Sequence, residues 1–264
     1  MKYTHAIMLR FPTSIKFEDK KLKNKIDLAL AAKQHQDLSD TLRESGVEVI
    51  ELPPEEDCQV QNLFADDIAI VINGTALLTK PKIIQNKKHS LTTSRANEFI
   101  AHLNVMAWQV VDAPTQLHGK QVVLEGSDVL FTGKEIFVGI RKNGTNTEGA
   151  LVVAKTFADF SVIPIPVGNL PLKARVSVAT NEVLAIGKDK ESQNILQRIE
   201  RDATFRYKIL TIDNEDAITC LNKFAVLQPP VELWGVTMEE LGKLGAPFSR
   251  YCLLINKLSA KRHD

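Results

Sequence analysis

Sulfur, aromatic rings and any excess of one charge are scarce in this chain of 264 residues. Cys58, Cys220 and Cys252 lie far apart with no CxxC or CxxH spacing, which argues against a structural zinc site and a disulfide framework. An odd number of thiols suits a reducing compartment, so a cytoplasmic location is expected. The six histidines form no HExxH or HxH pattern, and no metal is expected. No apolar run approaches the ~18 residues of a membrane span, so no membrane partner is expected. The opening MKYTHAIMLRFP is interrupted by Thr4, His5 and Arg10, against the longer apolar run of a secretory signal. With 33 basic and 32 acidic side chains the net charge is +1, a field that favours neither nucleic acid nor an anionic membrane. No phosphate-binding loop accompanies Trp108 or Trp234, which are read as core or rim packing, and no cofactor is expected.

What is present is a hydrophobic content of 44%, enough for an ample core, and a recurring unit. DDIAIVINGTALLTKP (66–81) reads as two short strands joined by Asn73-Gly74, a dipeptide suited to a type I′ turn because both residues tolerate positive φ. SDVLFTGKEIFVGIRK (127–142) repeats the shape with Gly133 in the turn, and ARVSVATNEVLAIGK (174–188) repeats it with a turn at Thr180-Asn181. Each hairpin precedes a helix-period stretch and a further β-branched run; ESQNILQRIERDA (191–203), for example, sets Ile195, Leu196 and Ile199 on one face before YKILTI. HAIMLRF, a long helix ended by Gly46, and VEVIELP give the first unit. Repeats about 50 to 60 residues apart describe a radial or stacked array rather than independent domains. The tail supplies a fifth, shortened unit, interrupted by Pro229-Pro230.

The units carry the phrases THAI (4–7), KQHQ (33–36), DDIAIV (66–71), LEGSDVLFTGKEIFVG (124–139) and LLINK (253–257) in this order. In these the chain resembles the dimethylarginine dimethylaminohydrolase family of the guanidine-modifying superfamily. The resemblance implies an α/β fold, a pentein: a five-bladed propeller of ββαβ units in one domain over residues 1–264. It also implies hydrolysis of N-methylated arginines to citrulline, in which a cysteine attacks the guanidinium carbon, a histidine relays protons and acidic residues hold the cation.

Set against this chain position by position, the acids are kept. Glu125 stands in LEGSD, and Asp66-Asp67 match the family's acidic pair. A carboxylate cluster suits a guanidinium because planar bidentate pairing is strong and directional. The family's histidine falls on Pro171 in LPLKARVSV, and its cysteine, aligned without a gap, falls on Arg250 in RYCLLINK. Cys252 then takes a neighbouring serine's place and reads as a buried strand thiol. Using it as nucleophile requires a two-residue slip in the strand, about 7 Å at ~3.3 Å per residue. Gln61 replaces an aspartate expected to hold an α-amino group, and NGTNTEGA lacks the arginine expected to receive a carboxylate. Arg141, just before that loop, compensates only out of frame, and NKKH (86–89) replaces an arginine pair.

The leading reading is a catalytically inactive member with a small-molecule or protein-partner role. In it, Arg250 projects into the pocket and pairs with Asp66, Asp67 or Glu125, while Pro171, Phe248 and Tyr251 make the lining less polar. The alternative is an active hydrolase of methylated arginine or a related guanidino or ureido compound, using Cys252 or recruited groups. Residues 12–25 are expected as a lysine-rich lid, and His35 as a packing residue within the first helix.

Overall fold

The computed structural model describes residues 3–17, 24–54, 58–82, 93–212 and 238–256. β1 (His5–Leu9), α1 (Leu28–Glu44) and β2 (Glu48–Leu52) form a strand–helix–strand crossover with β1 and β2 parallel. Asp27 fixes the start of α1 by accepting hydrogen bonds from the backbone N–H groups of Ala29 and Leu30. Gly46, at φ 85°, turns the chain just beyond its end.

The second unit has β3 (Ala69–Ile72) and β4 (Thr75–Leu78) antiparallel, α2 (Thr93–Met106) crossing over, and β5 (Gln109–Asp112) parallel to β4. Asn73 and Gly74 sit at φ 49° and 81° in its turn, as the dipeptide requires. The third unit is built alike from β6 (Val129–Phe131), β7 (Ile136–Ile140), α3 (Thr147–Thr156) and β8 (Val162–Pro166). The fourth uses β9 (Val176–Thr180), β10 (Val183–Gly187), α4 (Lys190–Asp202) and β11 (Lys208–Ile212). Its turn lies one residue later than the sequence suggests, at Asn181-Glu182. An irregularity between Val178 and Thr180 carries β9 to Thr180 before the chain reverses.

The last strand, β12 (Cys252–Ile255), corrects the assignment of the tail to units. It pairs antiparallel with β1, Met8 opposite Cys252 and His5 opposite Ile255, and so is the inner strand of the first unit rather than part of a fifth. Four three-stranded sheets of one pattern result among the described residues, with the chain's two ends sharing one of them. The rest of the fifth unit, with Cys220, Pro229-Pro230 and Trp234, lies outside the described residues, as do NKKH (86–89) and residues 18–23 of the expected lid.

Among the described residues the core is not a single slab. Buried apolar side chains gather between neighbouring sheets: Ile7, Ala69, Phe99 and Leu253 in one cluster, Ile70, Val129 and Val138 in the next, Leu130, Val178 and Ile186 in a third. Because the sheets face one another sideways, each inner strand (β12, β3, β6, β9) is paired on one side only among the described residues. Its other edge looks onto the axis. Among the described residues, no helix is long and apolar enough to cross a membrane.

Candidate functional site

The site is assembled from four 3-10 turns, one at the mouth of each inner strand: Ala65–Asp67, Gly126–Asp128, Leu172–Ala174 and Phe248–Arg250. Each turn holds polar residues at the same end of the axis. The second and third units contribute acids there, and the fourth unit and the turn before β12 contribute bases. Gly126 allows the first two turns to touch, since a Cβ at this position would lie 1.8 Å from the Asp66 carbonyl oxygen.

Arg250 reaches across to the acidic pair. Its guanidinium donates to Asp67 Oδ2, and its Nε lies 3.4 Å from Asp66 Oδ1. The guanidinium carbon sits 4.1 Å from the centroid of the Phe64 ring, so the cation is held flat against an aromatic face. Lys173 approaches the other oxygen of Asp66 at 3.4 Å. Burial by itself works against the charge on Arg250, but Asp67 and then Asp66 outweigh it and hold the guanidinium firmly protonated.

A second internal guanidinium lies alongside. Arg141 donates to Glu125 Oε2, and its Nε lies 3.0 Å from both oxygens of Asp128. Asp128 also accepts from the backbone N–H of Thr145 at 3.1 Å and of Leu172 at 3.3 Å, which ties the third unit to the fourth. Gly144 makes room for Arg141, because a Cβ there would meet the guanidinium carbon at 2.3 Å.

Among the described residues four carboxylates thus meet three cations, and the protonation of the acids reflects it. Burial, followed by the charge of Asp67, pushes Asp66 up to about 6 against the pull of Lys173 and Arg250. Burial, then Asp67, lifts Glu125 to about 7 despite Arg141. Asp128 is raised by burial, with Arg141 opposing. Burial also acts to raise Asp67, but Arg250 and the Ser127 N–H, 3.1 Å from its Oδ1, prevail and hold it below the ordinary carboxylate range. Protonation of either raised acid, Glu125 or Asp66, would relieve the excess negative charge.

The remaining expected positions are placed as follows. Glu125 is held by Arg141 rather than hydrogen-bonded to Arg250, and Arg141 both turns to the acids and donates from Nη1 to the Asn143 carbonyl, 3.0 Å away in the loop that follows it. Gln61 is exposed on a separate 3-10 turn, Val60–Leu63. Pro171 is half-buried immediately before the Leu172–Ala174 turn; its side chain has no exchangeable proton. Phe248 and Tyr251 do not line an opening. Both are buried in the cluster beside α1, and the Tyr251 hydroxyl donates to the Leu241 carbonyl at 2.9 Å, so they pack. His35 is buried between the Phe11 and Tyr251 rings. Trp108 is 57% exposed at the rim, over Gly74.

Cys252 is buried at the start of β12, its Sγ 4.0 Å from the Phe248 carbonyl oxygen. Burial, then the charge of Asp66, pushes the thiol up to about 12. At neutral pH the thiol therefore stays protonated, without the thiolate needed for attack. Lys173 and Asp128 were not singled out from the sequence. The signal that would have found them is positional, since each lies in the short turn before an inner strand. Among the described residues, no three His, Cys, Asp or Glu side chains are arranged to hold a metal ion.

Comparison with known proteins agrees with this geometry. The sequence profile of the eukaryotic N,N dimethylarginine dimethylhydrolase family matches residues 13–219. The human protein described as "Putative hydrolase DDAH2" is 30% identical over 257 residues, covering 88% of this chain and 86% of that protein. Its Bos taurus counterpart is 29% identical over 265 residues, covering 90% and 88%. Among solved structures, DDAH from Pseudomonas aeruginosa complexed with citrulline superposes with a TM-score of 0.68 at 18% identity, over 97% of this chain and all of that one. The product-bound N-terminal domain of ArgZ, an arginine dihydrolase of cyanobacteria, gives 0.70 at 14% identity, covering 97% of this chain and 98% of that domain. The fold is therefore the α/β propeller of the penteins, and the chain belongs to the eukaryotic N,N dimethylarginine dimethylhydrolase family.

Proposed function

We propose that this chain is a member of the family that has given up hydrolysis and retains a binding role, for a small molecule or a protein partner. One observation carries the reading: the Arg250 guanidinium lies on Asp66 and Asp67, where the resemblance expects a substrate guanidinium to lie. The place of the family's nucleophile is thereby occupied by a cation that neutralises the acids. Pro171 in the histidine's place and a Cys252 thiol pushed up to about 12 support the same reading.

Two measurements test it. Incubation with dimethylarginine should yield no citrulline above the buffer rate. Arg250→Ala should lower stability by about 3 kcal/mol, because a buried pair loses one partner. It should also create a hole of guanidinium shape. Tens of millimolar guanidinium should then raise the melting temperature of Arg250→Ala relative to equal sodium chloride, while wild type gains nothing. Equal responses of the two proteins would show that Arg250 does not fill a guanidinium slot.

The second reading, hydrolysis through Cys252, draws on one observation: Cys252 and Asp66 line the same internal cavity. Citrulline formation that disappears in Cys252→Ala would establish it and remove the first.

A further inference from the structure

The rim of the molecule is formed by the outer strands of the four sheets, β2, β5, β8 and β11, each paired on one side only among the described residues. Such an edge invites a further strand unless something on it discourages pairing. In a parallel ladder alternate residues bond to the neighbouring strand, and those between them turn N–H and C=O outward. On β8, Val167 donates to the Ile140 carbonyl at 3.0 Å, so Pro164 and Pro166 take outward positions, where neither has an N–H to give. β2 carries Glu48 and Glu51, and β11 begins with Lys208. β5 has no proline and no lysine, and its one charge, Asp112, is paired with Lys80 of the same chain at 2.9 Å.

The surroundings of β5 are as unusual as its edge. Residues 99–119 hold Asp112 as their one charged side chain, although at the chain's average of 25% that length would hold about five. The surface is nevertheless exposed. Val105, at 76%, and Trp108, at 57%, are the two most exposed large apolar side chains among the described residues, and they stand where α2 leads into β5. Depletion of charge around an exposed tryptophan is what distinguishes the centre of a protein interface from ordinary surface. The backbone agrees. Gln109 donates to the Gly74 carbonyl at 3.4 Å and Ala113 to the Leu78 carbonyl at 3.2 Å, so Val110 and Asp112 present their N–H and C=O groups outward.

We propose that β5 is a dimerisation edge, joined antiparallel across a two-fold axis to β5 of a second copy of this chain. A two-fold contact sets a surface against itself and so disfavours an excess of either charge, a condition this uncharged run meets. The outward groups fix the register. Val110 opposite the partner's Asp112, and Asp112 opposite the partner's Val110, give two pairs that each exchange both N–H···O bonds, and the aspartates stay apart. The next pair outward sets Trp108 against the partner's Pro114. Trp108 already gives its N–H to the Gly74 carbonyl at 2.8 Å, and proline has none, so the ladder stops there without a stranded donor. The exposed indole then covers an exposed proline ring. Val110 against itself would instead leave the Asp112 carbonyl facing Trp108, whose N–H is taken. Val111 meets the partner's Val111 on the axis. This surface goes beyond the proposed function and does not depend on it, because β5 is two strands out from the edge that faces the mouth.

Sedimentation velocity of the whole chain tests the proposal. The 29.4 kDa monomer should give way reversibly to a dimer, with a Kd of about 1–100 μM as suits a small interface. Val110→Pro removes an outward N–H from each copy and leaves the bonds to β4, as Pro164 and Pro166 do on β8. It should weaken the dimer about thirtyfold or more, through loss of two hydrogen bonds. Val111→Cys should form a disulfide-linked dimer under mild oxidation, above any cross-linking of wild type, because residues facing one another in a non-hydrogen-bonded pair lie within disulfide reach. Gln109→Cys, opposite the partner's Ala113, should not. A monomer at every concentration, which would leave the face to a different protein, would overturn the proposal. So would unchanged affinity in a folded Val110→Pro, or a wild-type dimer whose Val111→Cys form stays uncross-linked. Should Val110→Pro fail to fold, the two cysteine variants decide alone.

Discussion

At the scale of single residues, the molecule places ionisable groups where water cannot reach them and makes them depend on one another. His35 shows the consequence most cleanly. Burial outweighs the attraction of Glu51 and holds the ring down at about 4, so in the fold it is neutral. A base with a lowered folded pKa favours the folded state fully above its unfolded value of ~6.5, and that contribution is lost as pH falls towards 4. The shift corresponds to roughly 3 kcal/mol. In urea denaturation, the stability difference between wild type and His35→Leu should therefore change by about that amount, in favour of the variant, between pH 7 and pH 4. A constant difference across that range would mean that the ring is charged or wetted in the fold. Glu125 and Asp66 act in the opposite sense. Their raised values impose a penalty on the fold that is greatest above pH 7 and eases as pH falls through 7 and 6.

At the scale of elements, the hairpins and crossover helices were legible because their signals are local. Asn73-Gly74 defines a turn, Gly46 ends α1, and the spacing of Ile195 and Ile199 defines the buried face of α4. The short turns before the inner strands were not legible as a class. ADD, GSD, LKA and FSR share no residue at every position, and only the geometry makes them equivalent. That is why Asp66, Asp67, Glu125 and Arg250 could be named from a resemblance, whereas Lys173 and Asp128 emerged from the packing. Gly126 gives this scale its test. Gly126→Ala forces the Gly126–Asp128 turn away from the Asp66 carbonyl, and the bond from the Ser127 N–H to Asp67 Oδ1 should break with it. Hydrogen exchange at Ser127 should accelerate at least tenfold, with a stability loss of about 2 kcal/mol. Exchange that stays as slow as in wild type would show that the two turns can part without cost.

At the scale of the whole molecule, repeat spacing announced a radial or stacked array, but not how the ring closes. LLINK looks like the end of a fifth unit because it follows the tail in sequence; hydrogen bonding to β1 makes it the start of the first. Register between strands about 250 residues apart leaves no trace in local periodicity. Leu253 binds this closure to the neighbouring sheet, buried with Ile7, Ala69 and Phe99. Leu253→Ala should cost about 2–5 kcal/mol, as large-to-small changes in a packed core do. Because the closure joins the first unit to the second, the loss should appear as one cooperative shift. Tryptophan fluorescence and far-ultraviolet circular dichroism should give coincident urea midpoints. Separate midpoints would show that the seam opens by itself.

Arg250, carried on a rigid turn at the head of β12, has a final consequence for any guanidine in solution. On the function proposed above, it is an intramolecular competitor that dilution never removes, with an effective concentration in the millimolar range or above even by the standard of flexible tethers. A free ligand present at micromolar levels would need about a thousandfold advantage in intrinsic affinity to take its place on Asp66 and Asp67. Ordinary swings in metabolite supply would leave the mouth shut, and the molecule would respond to them only through surfaces or spaces elsewhere.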